Sequence, residues 1–240
     1  VVTFRDLDYV EKMLAAAAKG GNAVVIGGGL LGLEAAAGLA LKGMKVTVVH
    51  LMPILMERQL DQNAAYLLRK AIERRGITVE TGANTVAILG ADRVEAIKLE
   101  DGRTLPADLV VMAVGIRPNT ALAKAAGLEV KRGIVVDDHL ATSDPSIYSV
   151  GECVEHRGAC YGLVAPLYEM GKVLAAKLAG EAAAGYAGSI TSTKLKVTGV
   201  DLFSAGDFSE GDETDEVVLR DPSRGVYKRV ILRDGHIVGA

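Results

Sequence analysis

The strongest constraint on this chain is the segment Gly27-Gly28-Gly29-Leu30-Leu31-Gly32. A continuous apolar run, Ala23-Val24-Val25-Ile26, precedes it, and a helical pattern from Leu30 to Leu41 follows. Such a run suits a strand buried on both faces of a parallel sheet. Lys45-Val46-Thr47-Val48-Val49 reads as a second buried strand, so the three pieces make one βαβ unit. The glycines fall at G-x-G-x-x-G spacing. In that setting Gly27 allows the tight turn, Gly29 lets backbone approach a pyrophosphate, and Gly32 lets helix and strand pack closely. The helix N-terminus adds free N–H groups and a positive dipole end. The unit therefore predicts dinucleotide binding.

The rest of the chain extends this unit. Asp6-Leu7-Asp8 opens a capped helix that Gly20-Gly21 closes. Asp61 caps a helix running to Arg75 and Gly76, and Ile77 to Glu80 is a third strand. Thr85 to Leu105 alternates, with turns at Gly90-Ala91-Asp92 and Asp101-Gly102, which predicts an antiparallel excursion. Leu109 to Val114 returns to a buried parallel strand that ends at Gly115. Past Pro118-Asn119 we expect a short helix, a strand over Gly133–Val136, and a strand over Ile147–Val150 ending at Gly151. An Ala-rich helix follows from Val164 to Leu178, then a linker from Glu181 to Ser192. From Lys194 onward the pattern is all strand: Leu195–Val197, Val217–Leu219 and Tyr227–Leu232, with turns at Pro222-Ser223 and Asp234-Gly235.

Composition narrows the function. The formal net charge of −3 makes no electrostatic case for nucleic acid or an anionic membrane. No apolar run reaches the roughly 18–20 residues that span a bilayer. Two cysteines, Cys153 and Cys160, are too few for a disulfide framework. Val1 to Arg5 lacks the basic start and apolar core of a signal peptide, so a cytoplasmic, reducing compartment is expected. The chain starts without Met and stops at Gly239-Ala240 just after a strand-like run, and we expect a piece of a larger protein.

Individual residues leave alternatives open. The end of the second strand usually carries an acid that bonds the adenosine ribose, and here it carries His50. A neutral imidazole bonds a hydroxyl, a protonated one favours a 2′-phosphate, and a strand-end histidine can also simply fill space. The cofactor is then NADH or NADPH, with NADH favoured because no Arg pair follows His50 and Arg58 is the nearest. Glu34 lies in the first turns of an apolar helix, held there by the helix dipole or by the nicotinamide end of the ligand. Gly115, at the end of a parallel strand, fits where backbone passes a ligand. Gly151-Glu152 places a carboxylate beyond the expected strand Ile147–Val150. Cys153, His156 and Cys160 lack zinc-site spacing and read as ordinary residues. Met52, Leu55 and Met56 read as core or pocket wall. Glu210 to Glu216 reads as a solvated loop, with carrier docking the weaker alternative.

Together these motifs resemble the pyridine-nucleotide–disulfide oxidoreductase superfamily in its FAD/NAD reductase form. Within it, the chain is similar to the large subunits of NAD(P)H-dependent nitrite reductases. The closer likeness rests on His50-Leu51-Met52-Pro53, Leu55 to Asp61, Gly151-Glu152-Cys153, Gly162 to Pro166 and Lys194 to Asp201. The resemblance implies an α/β, Rossmann-like three-layer FAD/NAD(P)-binding fold, a parallel sheet with an antiparallel excursion, plus the start of an α+β interface domain. It implies an NAD(P)H domain over 8–117, the C-terminal part of an FAD domain over 118–185 and a truncated interface domain over 189–240. Gly27, Gly28, Gly29, Leu30, Leu31 and Gly32 then hold the NAD(P)H pyrophosphate, Glu34 and Gly115 flank the nicotinamide, and Gly151 with Glu152 meets the ribityl chain of FAD. The implied role is an electron path from NADH through FAD to downstream iron–sulfur and sirohaem domains. The rivals are a rubredoxin or ferredoxin reductase that serves a carrier protein, and a non-catalytic module that senses NADH. No catalytic side chain and no metal ligand is expected in this stretch, and a homodimer is an expectation for the full-length protein only. The chain departs from the family by carrying one glycine-rich nucleotide turn where two are implied. The resemblance puts the other upstream of Val1.

Overall fold

The computed structural model describes residues 1–182, 184–197, 199–207 and 213–240. In chain order the elements begin with β1 (Val2–Thr3), α1 (Leu7–Ala17), β2 (Asn22–Ile26), α2 (Leu30–Leu41), β3 (Lys45–His50), α3 (Gln62–Glu73) and β4 (Thr78–Thr81). Next come β5 (Thr85–Leu89), β6 (Ala96–Leu99), β7 (Thr104–Pro106), β8 (Leu109–Met112), α4 (Ala121–Ala125), β9 (Ile134–Val136), β10 (Val154–His156) and α5 (Val164–Leu178). The last are β11 (Ser192–Lys194), β12 (Phe203–Ala205), β13 (Asp215–Asp221), β14 (Val226–Arg233) and β15 (His236–Gly239). The chain divides into two compact units, Val1–Gly115 with Ser192–Ala240, and Ile116–Thr191.

The first unit is built on a five-stranded parallel sheet ordered β1-β8-β2-β3-β4. Successive strand side chains point to opposite faces. Ala23, Val25, Val46, Val48 and Val111 accordingly pack with α1, α2 and α3 residues such as Met13, Leu33 and Ile72. Val24, Val49 and Val110 pack on the opposite face with Ile97, Leu99 and Ala107. Those three partners belong to or flank the antiparallel sheet β5-β6-β7, the expected excursion. The result is three layers: helices, parallel sheet, antiparallel sheet. Asp6 caps α1 by accepting from the Tyr9 N–H at 3.1 Å, and Asp61 caps α3 by accepting from Ala64 at 2.8 Å. In the C-terminal part of this unit, β13-β14-β15 form an antiparallel sheet and β11 pairs with β12. Leu195 and Val197 reach the helix-side core.

Three expectations about strands need correction. The segment Ile147–Val150 is not a parallel strand. It makes one isolated antiparallel bridge, Tyr148 to Ala141, beyond a turn closed by Ile147 N–H to the Asp144 carbonyl at 3.0 Å. The parallel partner of β9 is β10, which lies after Gly151-Glu152. Periodicity missed β10 because two of its three residues, Glu155 and His156, are polar and yet buried. Glu155 stays buried because its carboxylate accepts from the N–H groups of Arg132 and Gly133, at 2.9 and 3.0 Å. Second, Leu195–Val197 is irregular backbone, and the strand is Ser192–Lys194 just before it. The apolar alternation there marks core insertion rather than a ladder. Third, Glu210 to Asp212 lie outside the described residues, but Asp215 and Glu216 are already in β13, where Glu216 accepts from Arg229 at 2.7 Å. Thr198, in the Lys194–Asp201 phrase, and Ala183, in the expected linker, also lie outside the described residues.

In the second unit, β9 and β10 pair in parallel, and α5 contributes Met170 to a core with Val136, Leu140, Val154 and Tyr186. α5 spans Val164–Leu178, as its periodicity predicts.

Candidate functional site

The glycine turn lies between the carboxyl end of β2 and the start of α2. Its glycines are required for different reasons. Gly27 has φ of +117°, and a Cβ there would lie 2.2 Å from the Ala113 carbonyl oxygen. A Cβ on Gly32 would lie 1.9 Å from the Gly27 oxygen, so helix and turn are in direct backbone contact. A Cβ on Gly28 would meet Leu55 at 2.6 Å and the His50 ring at 2.8 Å. Gly29 differs: its φ of −84° and ψ of −174° suit any residue, and a Cβ there would meet nothing within 4 Å. Neither backbone nor packing inside the protein accounts for glycine at this position. A ligand that must come close to the main chain would account for it. Gly29 is also the N-cap of α2 and has no side chain to cap it, so the first-turn N–H groups of Leu30 and Leu31 get no side-chain partner. That is the donor set a pyrophosphate needs, and the residues present fit a dinucleotide.

The remaining candidates take defined places. Gly115 has φ of +98° with open space on its Cβ side. Glu34 lies beyond the first turn of α2, half-buried, and its Oε1 accepts the backbone N–H of Lys196 at 3.1 Å. It thus ties α2 to the segment after β11. His50, the last residue of β3, is 8% exposed. Its Nδ1 accepts the Gly28 N–H at 3.0 Å, so the ring proton lies on Nε2, which is 3.0 Å from Glu57 Oε2. Both nitrogens are engaged within the protein, which leaves neither for a ribose hydroxyl in this arrangement. Glu57 lies in the Leu55–Asp61 phrase, and the folded loop brings it here. Leu55 and Met56 are core, whereas Met52 is 41% exposed.

In the second unit, Gly151 has φ of +106° and an open Cβ side, and Glu152 follows it in the turn before β10. Cys153, His156 and Cys160 do not converge. Cys153 Sγ lies 3.6 Å from Ser149 Oγ, and Cys160 Sγ accepts from Arg132 Nε at 3.5 Å. His156 Nε2 turns to Asp138 Oδ1 at 2.9 Å. Both cysteines are free thiols. The bidentate Arg157 guanidinium beside Asp138, followed by His156, holds its carboxyl well below the usual range, at about 2. None of the helices among the described residues is long and apolar enough to cross a membrane.

Known proteins resemble this chain along its whole length. A profile of the pyridine nucleotide-disulphide oxidoreductase family matches residues 2–171, and one of the rubredoxin NAD+ reductase C-terminal domain matches residues 192–240. The chain is 53% identical over 240 residues to a nitrite reductase [NAD(P)H] of Bacillus subtilis, covering all of this chain and 30% of that protein. It is 46% identical over 239 residues to the assimilatory nitrate reductase electron transfer subunit of the same organism, covering 100% of this chain and 31% of that protein. The chain thus spans about a third of the length of these relatives. Among solved structures, the ferredoxin reductase for the CYP199A2 system from Rhodopseudomonas palustris superposes with a TM-score of 0.87 at 31% identity, covering 100% of this chain and 60% of that one. The family profile spans both the glycine turn and the three layers, and the chain belongs to the pyridine nucleotide-disulphide oxidoreductase family, whose FAD/NAD(P) fold it carries.

Proposed function

We propose that this chain is the pyridine-nucleotide part, with a portion of the flavin part, of a reductase that passes electrons from NADH through FAD to the iron–sulfur and sirohaem centres of an assimilatory-type nitrite reductase. The observation that carries the reading is the 53% identity, sustained over all 240 residues, to a protein named for NAD(P)H and nitrite. When bound, the nicotinamide supplies a hydride that the flavin accepts. The chain's own residues bind and orient. Gly27 and Gly32 set the turn, Gly29 leaves the approach open, and the N–H groups of Leu30 and Leu31 face the pyrophosphate. Gly28 is pinned by His50, Glu34 steadies α2, and Gly115 lets backbone pass the nicotinamide end. Gly151 and Glu152 serve the ribityl side of FAD. Hydride transfer asks no proton of these side chains.

A second reading, reduction of a rubredoxin-type carrier, is favoured by the C-terminal profile over residues 192–240. The full-length protein separates the two. NADH oxidation coupled to stoichiometric nitrite loss supports the first. NADH oxidation coupled to reduction of rubredoxin, with nitrite untouched, supports the second. A full-length protein that binds NADH yet carries no flavin would sink both and leave a nucleotide-sensing module.

A further inference from the structure

We propose that Glu57 is the residue that reads the adenosine ribose, and that His50 is its positioning residue. The inference rests on the nucleotide-site reading above. In dinucleotide sites of this type, an acid near the end of the second strand bonds the ribose 2′-hydroxyl and repels a 2′-phosphate. At that place here the side chain is His50, whose ring is buried and whose two nitrogens are both used. Its Nδ1 accepts from the Gly28 N–H, so its Nε2–H points to Glu57 at 3.0 Å. The ring is a bridge between the glycine turn and a carboxylate, and it lacks an acceptor of its own to offer.

Glu57 has what His50 lacks. Its side chain is 27% exposed, against 10% for that of His50. One oxygen receives the His50 proton, and the other forms no hydrogen bond among the described residues. The loop that carries it is tied to the same turn a second time: the Met56 N–H donates to the Gly28 carbonyl at 3.0 Å. Met56 takes the left-handed conformation, with φ of +51°, to make that reach. Two bonds to Gly28, one at its N–H and one at its carbonyl, hold the carboxylate beside the nucleotide turn. The acid missing from the strand end is thereby supplied by the following loop, seven positions later. A carboxylate there accepts from ribose hydroxyls and opposes a 2′-phosphate, which favours NADH over NADPH.

The test is the ratio of NADPH to NADH dissociation constants, read by nucleotide titration of the full-length flavoprotein. For Glu57→Gln we expect weaker NADH binding and a ratio that falls roughly tenfold, the size of one good polar contact. His50→Gln keeps a donor where Nε2 stood, and His50→Asn keeps only an acceptor where Nδ1 stood. The first should retain the preference better than the second, an order that loss of packing alone would not produce. Gly29→Val, which has open space within the protein, serves as the control for the site itself. If Gly29→Val abolishes binding of both nucleotides while Glu57→Gln leaves the ratio unchanged, the proposal is overturned and the site stands. A shift in the ratio from Arg58→Gln but none from Glu57→Gln also overturns it, in favour of a phosphate-reading arginine. Unchanged NADH affinity in Gly29→Val removes the nucleotide-site reading and this proposal with it.

Discussion

At the scale of single residues, two glycines three positions apart answer to different partners. Gly32 faces protein: a Cβ would lie 1.9 Å from a backbone oxygen that cannot move without opening the turn. Gly32→Ala should therefore cost stability, on the order of 2 kcal/mol or more, through overpacking against main chain. Gly29→Val should melt close to the parent protein, yet fail to bind NADH. Thermal unfolding and nucleotide titration of the two variants would separate these roles, and equal losses in both assays would show that they do not differ. Asp138 offers a residue-scale test by pH. Its folded carboxyl is held at about 2, below the ordinary value of about 3.9, so its pairing stabilises fully above pH ~4 and fades as pH falls toward 2. A carbon-13 titration of this carboxyl should show its midpoint near 2. A midpoint at the ordinary value would mean that the Arg157 and His156 pairs do not persist in solution.

At the scale of elements, α3 is anchored at its N-terminus by more than its cap. Asp61 Oδ1 accepts from Ala64, while Oδ2 accepts from the Tyr227 hydroxyl and pairs with Arg229 at 3.5 Å. One carboxylate thus joins α3 to β14. Burial, then the Asp61 carboxylate accepting its bond, pushes the Tyr227 phenol up to about 12. The neutral phenol is favoured in the folded state. Its contribution is complete below the ordinary phenol value of about 10 and is lost as pH rises from there toward 12. Tyr227→Phe should cost roughly 1–2 kcal/mol at neutral pH and flatten that alkaline loss. Asp61→Ala should cost more, because it removes the helix cap as well and leaves Arg229, 9% exposed, with one carboxylate fewer. Urea unfolding of both variants checks the order, and the reverse order would show that the cap does not matter. Between layers, Ile97 is fully buried against the parallel sheet. Ile97→Ala should destabilise by roughly 2–5 kcal/mol through the cavity it leaves.

At the scale of the whole molecule, the chain carries one glycine-rich nucleotide turn, Gly27 to Gly32, and that turn sits in the first compact unit. Flavin contacts proposed for this chain come from Gly151 and Glu152 alone. The 240-residue chain should therefore purify without stoichiometric flavin, and visible absorbance after gel filtration would check it. A yellow protein with one FAD per chain would mean that the ribityl side suffices.

Much of this protein was determined by local pattern. The parallel strands are apolar runs because both their faces are covered. The helices declare themselves by period and by Asp6 and Asp61 at their caps, and the glycine spacing marks the nucleotide turn because only backbone can come that close to a phosphate. Partners distant in sequence were decided by the tertiary structure. β10 has no apolar signature because Glu155 and His156 are buried through hydrogen bonds to residues about twenty positions away, which no hydrophobic period records. Glu34 meets Lys196 across 162 positions, a contact that its place on α2 does not foretell. His50 presents the same physics at the site itself. Its position at the end of β3 was legible, but whether its nitrogens face a ligand or the protein depends on where Gly28 and the Met56–Glu57 loop come to rest, and only folding places them.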